Sequence, residues 1–290
     1  MIQSNYKFAI VTPVKDEIKN FPQTIKSILS QEVKPQKWII IDDGSTDGTT
    51  ELVEKAEREN DWIEGIYREP NKNRKPGGEF VLGIGLEKLN LDDYEFIVRM
   101  DGDLKFESDY FRVLFEKFDG NPNLGIASGV CFITRNGKEI EEKHPRFHTR
   151  GPLKTYRTQC YKDIGGLLNC LGWDSIDELN ANMLNWNTQS FPELKIHHLK
   201  KTGSKSGIFG AGINKGIAAY NSGSHPLYII AKALHIVLFL NYKFDSIGLL
   251  QGYFSSLIKR KPKPINKNLV KYVRKQEMNR LLGKKSIWKG

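Results

Sequence analysis

Acidic side chains follow two apolar runs of the chain, at the point where each run ends. Asp42-Asp43 comes directly after Trp38–Ile41, and Asp101-Gly102-Asp103 comes directly after Tyr94–Met100. Two carboxylates a few ångströms apart repel each other and raise each other's pKa unless a cation or hydrogen-bond donors compensate. Such a pair is costly to maintain for stability alone and therefore indicates a functional site. A divalent metal that carries a diphosphate would compensate its charge.

Alternating strand and helix patterns would position these acids. Apolar runs at Phe8–Val11, Trp38–Ile41 and Ile63–Tyr67 predict buried strands, and helical spacing of apolar residues predicts a helix at Phe21–Ser30. Thr12-Pro13-Val14 is expected to end the first strand, because proline cannot donate a hydrogen bond to a sheet. This alternation predicts an α/β fold with a mostly parallel, Rossmann-like sheet flanked by helices. Ligands bind at the carboxyl ends of the strands of such sheets, which is where the acids are expected.

The positive charge of the chain is concentrated near its C-terminal end. The formal net charge is +10, but residues 259–290 contain twelve Lys or Arg and one acid, Glu277, so residues 1–258 are close to neutral. A chain of 290 residues with 39% hydrophobic content can bury a sizeable core. The three cysteines lack metal-ligand spacing and no secretory signal pattern precedes them, which predicts a reducing, cytoplasmic compartment.

Two apolar segments precede the basic residues. Pro226–Leu240 and Phe244–Ile258 are followed at once by Lys259-Arg260-Lys261-Pro262-Lys263. Fifteen helical residues reach roughly 22 Å, which is short of the roughly 30 Å hydrocarbon core of a bilayer. We therefore predict a helical pair that lies at a membrane surface, with a basic patch for anionic headgroups. The alternative is an ordinary buried helix with a solvated basic tail.

Several motifs occur together in one order along the chain. They are Val11-Thr12-Pro13-Val14-Lys15, Ile40–Asp47, Met100–Asp103, Gly165-Gly166-Leu167 and the acidic segment Asp174–Glu178. In this order the chain resembles family 2 glycosyltransferases, inverting enzymes of the GT-A fold that use nucleotide-diphosphate sugars. The resemblance implies a GT-A domain at residues 1–220, followed by C-terminal helices and a basic tail at residues 221–290. It also implies a metal-dependent transfer of a sugar, with a UDP-sugar as the expected donor, to a hydroxyl of a glycan or lipid-linked acceptor, as in the synthesis of cell-surface polysaccharides or glycoconjugates.

The resemblance further implies roles for individual residues. Asp103 and Asp101 would hold Mg²⁺ or Mn²⁺, hard cations that prefer oxygen ligands, and the metal would neutralise the departing diphosphate. His197 and His198 are candidate contacts of the diphosphate or the metal, and we take His198 as the third metal ligand; the alternative is that one of the two histidines is a packed strand residue. A carboxylate is a good acceptor for the imide N–H of uracil, so Asp43 would hold the nucleobase together with Thr12. The complete set of residues expected to bind the nucleotide and donor is Thr12, Pro13, Val14, Asp42, Asp43, Arg74, Lys75, Asp101 and Gly102.

Inversion requires a general base that takes the proton of the acceptor hydroxyl. The family has this base in a Glu-Asp pair at a helix start, and that pair is absent here. The spacing of Leu179 and Met183 would put Ser175-Ile176 at the position of the pair. We therefore predict that a neighbouring acid serves as the base, with Asp177 as the first candidate and Asp174 as the second. Alternatively, Asp174 and Asp177 are only the N-cap and the third helical residue of a capping box.

The expected partners are a nucleotide-sugar donor, a glycan or lipid-linked acceptor and the inner face of the cell membrane, but no nucleic acid. A sugar nucleotidyltransferase would share the sheet and the metal-binding acids, yet it would need a Gly-rich, basic signature that Thr12–Glu17 lacks. A catalytically inactive nucleotide-sugar-binding module would explain the absent Glu-Asp pair. A nucleic-acid-binding protein would explain the basic tail but not the acids.

Overall fold

The computed structural model describes residues 6–70, 79–135, 137–142, 144–200, 207–240 and 242–288. The chain divides into two compact units. The first consists of Met1–Leu167 and Leu184–Lys201, and the second consists of Leu168–Met183 and Thr202–Gly290. The domain boundary after residue 220 stays a prediction, and the two compact units divide the chain at other positions.

The first unit is built on one nine-stranded sheet. Its strands are β1 (Phe8–Val14), β2 (Lys37–Asp42), β3 (Ile63–Tyr67), β4 (Phe96–Met100), β5 (Leu104–Phe106), β6 (Leu124–Arg135), β7 (Lys138–Glu141), β8 (Leu153–Arg157) and β9 (Asn187–His198). The order is β3-β2-β1-β4-β8-β6-β9-β5, and β7 pairs with β6. The strands β3, β2, β1 and β4 are all parallel, whereas β8 runs antiparallel to β4 and β6 runs parallel to β9. The carboxyl ends of the first four strands therefore meet at one edge.

Helices cover both faces of this sheet. They are α1 (Phe21–Leu29), α2 (Thr49–Glu59), α3 (Glu79–Leu86), α4 (Tyr110–Asp119) and α5 (Thr158–Asp163). Phe8 and Ile10 of β1 pack in one core with residues of α1, α2 and α4, and Ala9 packs in a second core with residues of α3. Successive side chains of a strand point to opposite faces, so a strand buried on both faces is apolar throughout. The predicted α/β fold is confirmed.

The first strand continues through proline, which contradicts the expectation that Thr12-Pro13-Val14 ends it. Pairing of β1 with β4 stops at Val11, opposite Arg99, but pairing with β2 continues through Pro13 to Val14. Proline thus lies where the strand has a hydrogen-bonded neighbour on one side only. A sheet tolerates proline at such edge positions, because no second ladder requires the missing N–H.

The second unit is helical over its described residues. Its helices are α6 (Trp173–Met183), α7 (Gly207–Asn221), α8 (Pro226–His235), α9 (Lys243–Ile258) and α10 (Lys267–Leu281), and a π-helical turn, Ile236–Leu240, follows α8. Ile176 of α6 packs with Leu269 and Val273 of α10, which joins α6 to the C-terminal helices. None of the helices that the structure describes has both the length and the apolar content needed to span a membrane.

Candidate active site

The Asp101-Gly102-Asp103 turn connects β4 to β5 and is held by α1. The hydroxyl of Thr24 lies 2.9 Å from the carbonyl oxygens of Gly102 and Leu104, and it accepts a hydrogen bond of 2.9 Å from the Leu104 N–H. A Cβ atom at position 102 would lie 2.7 Å from Cγ1 of Val14. Glycine therefore allows the turn to sit directly against β1, and Thr24 fixes the backbone between the two acids.

Strand pairing brings a histidine to this turn. The strands β5 and β9 are antiparallel, with Leu104 opposite His198, the last residue of β9. His198 Nε2 lies 3.2 Å from Oδ2 of Asp103. One ligand atom from each of Asp101, Asp103 and His198 can be chosen so that all three lie within 4.8 Å of one another. The structure thus brings together the three residues that were predicted to hold a metal.

The charges of this cluster are partly compensated by one arginine. A guanidinium nitrogen of Arg99 lies 2.7 Å from Oδ1 of Asp101, and Arg99 also donates a hydrogen bond to the carbonyl of Gly151. Burial raises the pKa of Asp101, the guanidinium of Arg99 opposes this rise, and the carboxylate of Asp103 adds to it. Burial by itself would lower the pKa of His198, but the hydrogen bond and charge of Asp103 and the charge of Asp101 outweigh it and raise the pKa.

The donor set of the cluster fits a divalent cation. Nδ1 of His198 is buried and has no hydrogen-bond partner among the described residues, and a polar atom in this condition is rare in folded proteins unless an ion or a water satisfies it. Two carboxylates and one imidazole suit Mn²⁺, and the carboxylates suit Mg²⁺ as well. Within the part of the chain that the structure describes, no other group of three or more His, Cys, Asp or Glu residues meets the same distance condition.

Asp42 ties the end of β2 to the start of α2. Its Oδ1 accepts a hydrogen bond of 2.9 Å from the Ser45 N–H, and its Oδ2 accepts one of 2.5 Å from the Thr50 hydroxyl. Gly44, which lies between Asp42 and Ser45 in the chain, has a φ of +73°. A Cβ atom at this position would lie 2.6 Å from the backbone N of Pro70. Both carboxylate oxygens of Asp42 are thus engaged in holding the turn, and its predicted role in donor binding stays a prediction.

Asp43 is buried beside two cations that sequence reasoning missed. Arg68 Nη1 donates to Oδ1 of Asp43, and Lys15 Nζ donates to the carbonyl oxygens of Asp43 and Gly44 at 2.9 and 2.8 Å. Arg68 could have been found from the sequence, because it directly follows β3 and so reaches the same edge of the sheet. The predicted basic residues, Arg74 and Lys75, lie outside the described residues.

Thr12 is fully buried, and its hydroxyl accepts a hydrogen bond of 2.9 Å from Trp38 Nε1. The even-numbered residues of β1 face the larger core, which explains this orientation. The predicted contact of Thr12 with the nucleobase stays a prediction. Pro13 is partly exposed and Val14 is buried, and their predicted contacts with the donor stay predictions.

The candidate bases lie on α6, in the second unit. The helix begins at Trp173, so Asp174 lies within its first turn instead of at the predicted N-cap. Asp177 and Glu178 are both buried, and Oδ1 of Asp177 accepts a hydrogen bond of 2.7 Å from the Glu178 N–H. Glu178 was missed as a candidate, although its adjacency to Asp177 makes an acidic pair in the order opposite to the one expected.

Comparison with known proteins identifies related sequences. Residues 9–172 match the family model described as glycosyl transferase family 2. Poly-beta-1,6-N-acetyl-D-glucosamine synthase from Staphylococcus aureus strain COL is 28% identical over 114 residues, which are 39% of this chain and 26% of that protein. The synthase of the same name from Staphylococcus epidermidis is 29% identical over 114 residues, with the same coverage. The chain thus matches only about a quarter of the length of these curated relatives.

Solved structures share the architecture. The mannosyltransferase PcManGT from Pyrobaculum calidifontis, in complex with GDP-Man and Mn²⁺, matches with a TM-score of 0.56 and 15% identity over 88% of each chain. TarS from S. aureus, in complex with UDP-GlcNAc, matches with a TM-score of 0.55 and 17% identity over 87% of this chain and 73% of its own. At these identities the likeness shows the fold, and it confirms the GT-A type of α/β architecture.

Proposed function

Because the chain belongs to glycosyl transferase family 2, we propose that it transfers a sugar from a nucleotide-diphosphate sugar to a hydroxyl group, with inversion at the sugar carbon. UDP is the expected nucleotide, and the expected acceptor is a glycan or a lipid-linked saccharide of a cell-surface polysaccharide or glycoconjugate. The observation that carries the proposal is the convergence of Asp101, Asp103 and His198. The bound donors of TarS and PcManGT support the donor class, and the similarity to a polysaccharide synthase supports the acceptor class.

Asp103, Asp101 and His198 would hold Mg²⁺ or Mn²⁺. When bound, the cation supplies positive charge that stabilises the diphosphate as it departs. Arg99 would orient the Asp101 carboxylate through their 2.7 Å ion pair, and Thr24 would keep the two acids of the turn at a constant separation. These two residues are positioning residues, because they act through the acids.

The nucleotide would bind along the carboxyl ends of β1 and β2. Asp43 would accept a hydrogen bond from the base, and Arg68 would stabilise its buried carboxylate. The ammonium group of Lys15 donates hydrogen bonds to the backbone carbonyls of Asp43 and Gly44. In this proposal its main effect is on the shape of the turn. Arg74 and Lys75 stay proposed contacts of the nucleotide.

The acceptor hydroxyl would lose its proton to an acid of α6. Asp177 is the first candidate and Asp174 the second, and Glu178 joins them because it is buried beside Asp177. A peripheral contact with the cytoplasmic face of the cell membrane belongs to the same proposal and is supported by the basic C-terminal residues.

Donor hydrolysis and donor binding test the proposal together. UDP release from UDP-GlcNAc and from other UDP-sugars should be measured with Mn²⁺, with Mg²⁺ and with a chelator, and UDP affinity should be measured by calorimetry. We expect tight binding and slow hydrolysis that both require a divalent cation. Binding without hydrolysis or transfer for every donor and acceptor would favour an inactive binding module. Absence of UDP and GDP binding at saturating Mn²⁺ would contradict the proposed function.

A further inference from the structure

The second unit carries large apolar side chains at its surface. They lie on α8, in the π-helical turn and at the start of α9, and each is between 54% and 72% exposed: Leu227, Leu234, Leu238, Phe239, Phe244 and Ile247. We call this set the apolar surface. Single exposed apolar residues are common on proteins, but six large ones on a helix, the turn that follows it and the next helix indicate an interaction surface.

The helix α8 is apolar on two sides. Ile229 and Ala233 of α8, with Ile236 of the turn that follows, are buried in one cluster with residues of α9, at the i, i+4, i+7 spacing of one helical face. Leu227 and Leu234, seven residues apart, lie on another face and are each 57% exposed. An ordinary surface helix has one apolar stripe and one polar face. A second apolar face on α8 is therefore suited to a partner that the structure does not contain.

The contact between α7 and α9 does not use large apolar side chains. Gly212 and Gly216 of α7 lie against Gly248 and Gly252 of α9, so closely that a Cβ atom at Gly252 would overlap the carbonyl oxygen of Ile213. Small residues at a four-residue spacing let helix backbones approach each other, a packing mode common in apolar surroundings. Phe244 and Ile247 of α9 therefore stay exposed beside the contact between α7 and α9.

The segment that carries the apolar surface, residues 207–290, has no exposed acidic side chain. Residues 207–290 contain fifteen Lys or Arg but only two acids, Asp245 and Glu277. Both acids are buried. Lys215 Nζ lies 2.7 Å from Asp245, and Glu277 accepts a hydrogen bond of 2.7 Å from the His225 N–H. Because both acids are turned inwards, no carboxylate side chain of this segment can repel an anionic partner.

We propose that the apolar surface inserts into the interfacial region of a bilayer that contains anionic lipids. This inference deepens the proposed function, on which it rests for the nature of the partner, since it names the surface that makes the membrane contact. Exposed Lys243, Lys259 and Lys261 flank α9 at its two ends and match the charge of phosphate headgroups. The ten residues of α8 extend about 15 Å at 1.5 Å per residue, which suits a helix lying in the plane of the interface.

Charge favours a bilayer over a second copy of the chain as the partner. A two-fold contact through the apolar surface would bring two strongly basic segments together, and like charges at an interface oppose association. An anionic bilayer, in contrast, attracts each exposed Lys or Arg near its surface. The apolar and electrostatic contributions then act in the same direction.

Vesicle flotation of the full chain tests the inference. Wild type should float with vesicles of phosphatidylcholine and phosphatidylglycerol and bind far more weakly to phosphatidylcholine alone. The triple variant Lys243→Gln, Lys259→Gln, Lys261→Gln should lose roughly 100-fold in partitioning, because each lysine near an anionic surface contributes about fivefold. Arg260 is left unchanged, since its φ of +48° makes it a special backbone position at the end of α9.

The apolar contribution is tested by Leu238→Ser combined with Phe244→Ser. Both side chains are already exposed, so the fold should persist, while partitioning should fall by at least about tenfold because each side chain loses its transfer into the lipid. The control is Ile140→Ser, which removes an exposed apolar side chain from β7 of the first unit and should change nothing. Circular dichroism and thermal unfolding verify that each variant is folded.

Three results would overturn the inference. The first is equal flotation of wild type and the Leu238→Ser, Phe244→Ser variant, and the second is no flotation of wild type at all. The third is a wild-type dimer in light scattering that becomes a monomer in this variant, since the apolar surface would then join two copies. UDP binding without vesicles separates this inference from the proposed function. Cation-dependent UDP binding with no flotation contradicts the membrane contact and leaves the proposed sugar transfer standing, whereas flotation without UDP or GDP binding contradicts the proposed sugar transfer alone.

Discussion

His198 Nε2 lies 3.2 Å from Oδ2 of Asp103. The two residues meet because β9 ends beside the start of β5, with His198 opposite Leu104. Asp103 thus contacts one nitrogen of the imidazole, Nε2. The other nitrogen, Nδ1, is buried and has no hydrogen-bond partner among the described residues. This geometry makes Asp103 the residue on which both the proposed metal site and the orientation of His198 depend.

Replacement of Asp103 by Asn should preserve the fold and abolish cation-dependent turnover. An amide is a neutral and weaker ligand for a hard cation, and the loss should be at least as large as the roughly 100-fold effect of removing an outer-shell partner. Donor hydrolysis at increasing Mn²⁺ measures this effect. The control is Asp92→Asn, which changes an exposed acid paired with Lys162. Rates like those of wild type at saturating Mn²⁺ would show that Asp103 is not a metal ligand.

Thr24→Val should weaken cation binding without touching a ligand. The substitution removes the hydroxyl that bonds the backbone on both sides of Asp103, leaves the buried Leu104 N–H without its partner and should lower the free energy of unfolding by about 1–3 kcal/mol. Mn²⁺ affinity measured by calorimetry should fall with it. Thr24→Ser keeps the hydroxyl and serves as the matched control. Unchanged Mn²⁺ affinity in Thr24→Val would exclude a positioning role for Thr24.

Asp177→Asn should lower turnover by about 10²–10⁴-fold with little change in UDP affinity, because a general base acts on the proton of the acceptor and not on the nucleotide. Asp174→Asn should have a milder effect. Transfer rates and UDP affinity measured for both variants and for Glu178→Gln rank the three acids. The largest loss in Asp174→Asn or in Glu178→Gln would move the role of base to that residue.

Glu277 should make the stability of the chain depend on pH. Burial raises the pKa of Glu277 to about 7, in spite of the His225 N–H, Ser224, Lys232 and Arg274, which oppose the rise. The folded state therefore binds a proton more tightly than the unfolded state, whose pKa is the ordinary 4.5. As the pH rises from 4.5 to about 7, the free energy of unfolding should fall by about 3 kcal/mol, and above that range it should level off.

The variant Glu277→Gln isolates this contribution. The amide oxygen of the new side chain can still accept the hydrogen bond from the His225 N–H, but the amide does not titrate. The decrease in the free energy of unfolding between about pH 5 and about pH 8 should therefore disappear. Urea unfolding of wild type and variant at both pH values measures the difference. Glu59→Gln, at an exposed acid of α2, is the control and should keep the wild-type slope. A slope that persists in Glu277→Gln would assign the pH dependence to other groups.

Local pattern determined the elements of the first unit and the places of its acids. Apolar runs and helical spacing predicted β1, β2, β3 and α1 to within a few residues, because burial on one or both faces leaves a periodic pattern in the chain. The same pattern placed Asp42-Asp43 and Asp101-Gly102-Asp103 at strand ends. The ordered motifs were sufficient to predict the family, which the match of residues 9–172 shows.

The tertiary structure decided what these residues contact. The register between β5 and β9 brings His198 to Asp103. The orientation of β1 in the sheet directs the Thr12 side chain towards Trp38. The β1–β4 pairing ends before Pro13, which permits a proline within the strand. Each depends on pairing between segments that are distant in the chain, and no local periodicity encodes such a register. The sequence by itself thus determined which chemical groups are available, whereas strand pairing decided which of them meet.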